Sequence, residues 1–132
     1  MIREVVTDPL DAADLWFDLR ENVRLIQKMG LRDVRLFFGY SWGNHIYTAQ
    51  WVEMTTSPEQ LEQRIIDAEQ NRYGRVGHDN FYIRVPEIEV RVEYTYETDI
   101  HLSYATENAF VITVLKRWTD NEWMIERKNS RL

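Results

Sequence analysis

Hydrophobic and polar residues alternate without a break from Ile88 to Glu97. Ile88, Val90, Val92, Tyr94 and Tyr96 fall on one parity, and Glu89, Arg91, Glu93, Thr95 and Glu97 on the other. A period of two sends successive side chains to opposite faces of a strand. One face is then buried and one wet, which is the habit of an antiparallel sheet. Asp99, His101 and Ser103 alternate in the same way with Ile100, Leu102 and Tyr104. Opposed residues must share a face. A three-residue loop, Glu97-Thr98-Asp99, meets this condition by pairing Tyr96 with Ile100, Thr95 with His101 and Glu93 with Ser103.

Further strands are predicted at Phe81–Val85, at Phe110–Trp118 and, after an Asp120-Asn121 turn, at Glu122–Ile125. Face matching pairs Val85 with Ile88, although Pro86 suits a two-residue hairpin turn poorly. Phe110–Leu115 is apolar on both parities and reads as a central strand covered on both sides. Val34–Phe38 and Ile46–Val52 flank Gly39-Tyr40-Ser41-Trp42-Gly43-Asn44, a hairpin with a longer loop.

Two segments follow a helical period instead. Asp8 is the expected N-cap of the first, with Pro9 at its first position and Gly30 at its end. Ala12, Leu15, Trp16, Leu19, Val23 and Ile26 form its core stripe, while Leu10 and Phe17 are expected to pack against Ile2, Val5 or Val6. The second opens with Ser57-Pro58-Glu59-Gln60, a capping box, closes at Gly74, and carries a narrow stripe of Leu61, Ile65 and Ala68. The expected fold is α+β. It is a single domain over residues 1–132, with a mainly antiparallel sheet of six to seven strands and two helices on one face. The expected order is α-β-β-α-β-β-β-β with a further β at the end.

Composition narrows the class. The chain has 132 residues, 44% of them hydrophobic, and no cysteine, so its core must hold without disulfides. No apolar run reaches the length of a membrane span, and Met1–Asp8 lacks the apolar stretch of a signal peptide. A soluble, cytoplasmic protein with no membrane association is expected. The net charge of −6 is concentrated in residues 53–107, which carry 12 acidic and 5 basic side chains. That balance disfavours nucleic acid as a partner and favours a basic protein.

No catalytic or cofactor motif is present, and neither a cofactor nor a metal is expected. Asp99 and His101 share one strand face, so a carboxylate can orient an imidazole base there. With Tyr104 they are the first suspects if the chain is an enzyme. His78-Asp79 sits in the loop Gly74–Asn80, which lacks the lysine and spacing of a phosphate loop. Glu87, Glu89, Glu93, Glu97 and Asp99 form the densest acidic group, and Tyr40 and Trp42 are aromatic anchors in the predicted hairpin loop. The leading expectation is a non-catalytic acidic module that docks a basic protein partner. An immunity-type inhibitor of a bacterial toxin is one such protein, by analogy of composition. The alternatives are a small enzyme or ligand-binding domain with a pocket between helices and sheet, and a homo-oligomeric structural protein. Monomer and homodimer both remain open.

Overall fold

A computed structural model describes residues 2–39, 53–72 and 74–130. They form an α+β fold of one seven-stranded antiparallel sheet and three helices. In chain order the elements are β1 (Ile2–Thr7), α1 (Ala12–Lys28), β2 (Val34–Phe38), β3 (Met54–Thr56), α2 (Pro58–Gln70), β4 (Phe81–Val85), β5 (Val90–Tyr94), β6 (Ile100–Tyr104), α3 (Ala109–Asp120) and β7 (Ile125–Ser130). The sheet order is β3-β2-β4-β5-β6-β1-β7. The predicted strand Ile46–Val52, together with Tyr40 and Trp42, lies outside the described residues.

The pleat sorts the sheet into two faces. Leu36, Ile83, Val92, Leu102 and Val5 are successive cross-strand partners on the inner face. They join one core with Leu15, Leu19, Val23 and Ile26 of α1, Leu61 and Ile65 of α2, and Phe110, Val114 and Trp118 of α3. All three helices therefore pack on the inner face. Burying an aliphatic or aromatic side chain of this kind contributes roughly 1.5–3 kcal/mol.

Several expectations are corrected. Residues 110–118 are helix, not a central strand. Phe110, Val111, Val114, Leu115 and Trp118 are buried, whereas Ile112 is 56% exposed. That spacing is the stripe of a helix, and Asn108 caps it by accepting a hydrogen bond from the Val111 backbone N–H at 3.0 Å. Residues 2–7, with no clear alternation of their own, form a strand between β6 and β7. Helix α1 starts later than expected. The Asp8 N–H is bound to the Met124 carbonyl and the Leu10 N–H to the Thr98 carbonyl, so the chain is tied to its neighbours there. Asp11 is the N-cap, accepting from the Asp14 N–H at 2.8 Å. Leu10 packs on the core, but Phe17 is 42% exposed and Ala12 is exposed.

Helix α2 begins at Pro58 as expected and buries Leu61, Ile65 and Ala68, but Ser57 makes no side-chain capping bond. It stops at Gln70, before Gly74, because Arg72 takes the left-handed conformation. The last strand is Ile125–Ser130 rather than Glu122–Ile125, with Glu122 left-handed in the turn before it.

The β5–β6 register is displaced by two residues: Tyr94 pairs with Ile100, Glu93 with His101 and Arg91 with Ser103. A two-residue displacement preserves the faces, so alternation alone does not distinguish the two registers. The longer turn is held by the Thr95 N–H on the Asp99 carbonyl and the Thr98 N–H on the Thr95 carbonyl. Val85 likewise pairs with Val90, not Ile88. Pro86–Ile88 form a 3₁₀ turn that ends on Glu89 in the left-handed region.

Candidate functional site

The outer face of the sheet is the counterpart of the core, and among the described residues no helix packs a buried side chain against it. Register builds it from two rows. Arg35, Arg84, Arg91 and Ser103 are successive partners on β2, β4, β5 and β6. Phe37, Tyr82, Glu93 and His101 form the next row. On β1, Ser103 meets Glu4 and His101 meets Val6.

The arginine row places like charges directly opposite one another, which destabilises a sheet unless they are answered. Arg35 is answered by Asp33, with Nε 2.7 Å from Oδ1. Arg84 is held by both oxygens of Glu53, at 2.7 Å from Nε and 2.6 Å from Nη2. The Tyr82 hydroxyl donates to the same carboxylate at 2.9 Å. The Arg84 hydrogen bonds hold the Glu53 carboxyl below the usual range. Burial, with the Glu53 carboxylate as acceptor, pushes the Tyr82 phenol up to about 12. Phe37 and Tyr82 stack, with ring centroids 5.0 Å apart and planes 11° apart, and the Arg91 guanidinium lies 5.2 Å above the Tyr82 ring.

At the other side of this face Asp99 and His101 meet, as their spacing suggests. His101 Nε2 is 3.2 Å from Asp99 Oδ1, and its Nδ1 is 3.5 Å from Glu4 Oε2. The Thr95 hydroxyl also donates to Asp99. The Ser103 hydroxyl makes a long contact, 3.4 Å, to Glu4 rather than to His101. The group thus joins an imidazole to two carboxylates but not to the hydroxyl. Tyr104 faces the core.

The other acidic residues are dispersed. Glu87 lies in the β4–β5 turn, where its Oε1 accepts from the backbone N–H groups of Arg32 and Asp33 at 2.8 and 2.7 Å. Those two bonds, Asp33 first, hold its carboxyl below the usual range. Glu89 ends that turn, while Glu97 and Asp99 belong to the β5–β6 turn at the opposite end of the strands. Glu93 alone lies mid-strand on the outer face. His78 is exposed and contacts the Arg75 guanidinium at 2.7 Å. No group of three His, Asp or Glu suited to a metal is found among the described residues.

One constellation has no counterpart in the sequence reading. Asp18 and Asn22, one turn apart on α1, are buried with Tyr94 and Trp118. Asp18 Oδ1 accepts from Trp118 Nε1 at 2.8 Å and from Arg117 Nη1 at 2.9 Å, and Oδ2 accepts from the Tyr94 hydroxyl at 2.9 Å and from Asn22 Nδ2 at 3.0 Å. Asn22 completes the circuit by donating to Tyr94 at 2.9 Å and accepting from Arg117 at 2.6 Å. Burial, then the charge of Asp18, raises the Tyr94 phenol well above its ordinary value. Asp18 and Asn22 occupy the stripe that also carries Leu15, Leu19 and Ile26. Polar residues one turn apart inside an apolar stripe are the signal that could have found them.

Two hollows among the described residues are open to solvent. One of ≈300 Å³ is lined by residues of β1, β4, β5, β6 and the β4–β5 turn. The other, ≈440 Å³, lies between Trp16 of α1, Glu69 of α2 and Arg75. No described helix is long and apolar enough to cross a membrane. Neither a protein-family model, nor a curated protein, nor a solved structure matches this chain.

Proposed function

We propose that the chain is a non-catalytic protein-binding module that docks its partner on the outer face of the sheet. The observation that supports this is the Phe37–Tyr82 stack, half-buried on that face beside Arg91 and flanked by Glu93. Tyrosine and arginine are the side chains that most often dominate binding energy, provided a partner removes them from water. Glu4, Glu93 and Asp99, gathered around His101, supply the acidic margin that a basic partner would meet. Carboxylates on a docking face speed encounter with a cationic surface, and aromatic anchors slow dissociation. A basic toxin neutralised by an immunity-type inhibitor is one partner with that chemistry.

The test is capture from a lysate of the source cells, comparing wild type with Tyr82→Ala and Glu93→Arg. A partner held by wild type is expected to be lost on both variants, and its on-rate to fall as salt rises. Folded variants that retain the partner equally, or an on-rate indifferent to salt, would overturn the reading.

A further inference from the structure

At the β4–β5 turn the outer face sinks into the ≈300 Å³ cavity, bordered by Ile2, Arg84, Pro86, Glu89, Arg91 and Ser103. That volume is at the lower end for small-ligand sites, and such sites combine an apolar wall with a few polar groups that fix orientation. Ile2 and Pro86 provide the apolar wall. Arg84 and Arg91 are direct cross-strand partners. Glu53 engages Arg84 through two hydrogen bonds. Arg91 differs: among the described residues no carboxylate pairs with it, and only the Tyr82 ring lies under its guanidinium. This cation–π contact uses the face of the ring and leaves the guanidinium N–H groups for an anion. Ser103, opposite Arg91, has a hydroxyl that rotates to suit its acceptor, and its contact to Glu4 is long.

We propose that this cavity binds a small monocarboxylic acid with a compact apolar body. The carboxylate pairs with Arg91 and accepts from Ser103, while the body lies against Ile2 and Pro86. One unanswered arginine, with Glu89 on the border and Glu4 behind Ser103, suits a single negative charge and disfavours phosphates of higher charge.

Titration of the protein with hexanoate and with hexanamide, followed by amide NMR, tests this without any protein partner, so its outcome is separate from that of the docking experiment. Hexanoate is expected to shift the Arg91 and Ser103 signals saturably, and hexanamide to bind about tenfold more weakly or worse. Arg91→Met keeps a stem to pack on Tyr82 and should lose the response to hexanoate at an unchanged melting temperature. Arg91→Lys should restore it only in part, and Glu89→Gln should tighten binding. The proposal fails if hexanoate gives no saturable shift, if hexanamide binds equally well, or if folded Arg91→Met responds like wild type.

Discussion

The molecule builds two polar networks from similar side chains and places them on opposite sides of one sheet. Inside, Asp18, Asn22, Tyr94, Arg117 and Trp118 join α1, β5 and α3 in a closed circuit. Outside, Glu53, Tyr82 and Arg84 join β4 to the start of β3. Both use a carboxylate held by an arginine and a tyrosine. They differ in solvent. Asp18 is 0% exposed, so any donor left unpaired there bears its full desolvation cost. The outer groups keep water as an alternative partner, so they contribute little to stability. The inner circuit fixes how α1 and α3 sit on the sheet, and the outer one presents a surface.

Mutations should separate the two. Asp18→Ala leaves Arg117, Trp118 and Tyr94 without their shared acceptor and should cost about 3–5 kcal/mol, read by urea denaturation. Glu53→Gln removes an equally well-formed carboxylate from the outer network, yet should cost less than about 1 kcal/mol at neutral pH in the same assay. A similar loss from both would break the comparison.

The outer network also predicts a pH signature at each end of the scale. The Glu53 carboxyl is lowered from 4.5 in the folded protein, so its contribution is present above that value and is lost as pH falls through the folded one. The stability difference between wild type and Glu53→Gln should therefore be flat near neutrality and shrink below pH 4.5. Tyr82 is raised from 10.0 to about 12, so its contribution is complete below pH 10 and is lost as pH rises through about 12. The absorbance titration of Tyr82→Phe, compared with wild type, should lack one late-titrating phenol. The smallest effect belongs to the β5–β6 turn. Thr98, a β-branched residue, sits at φ 65°, and Thr98→Gly should stabilise by about 0.5–1 kcal/mol in thermal melts.

What could be read from the sequence follows from which residues carry a local signal. The alternation of 90–94 and 100–104 requires no tertiary information, and those strands lie where the pattern puts them. Gly30, left-handed at φ 70°, ends α1 as expected. Strand β1 depends on partners about a hundred residues away, so nothing local marks it. Segment 110–118 carries apolar residues at both strand and helix spacings, and the exposure of Ile112, Thr113 and Lys116 together marks the helix. The acidic residues looked contiguous because 87–99 is one stretch of chain. Two turns at opposite ends of the strands disperse them, and β4 brings Arg84 opposite Arg91. The meeting of Asp99 with His101 was legible from two-residue spacing, whereas the part played by Glu4 depends on β1 and was not.

Hydroxyl-radical footprinting of the protein with its captured partner tests the docking reading most directly, because it reports protection side chain by side chain. Phe37, Tyr82 and His101 should lose reactivity in the complex while Phe17 and Ile112 on the helices keep theirs. Protection of the helical residues with the outer sheet face unchanged would contradict the account.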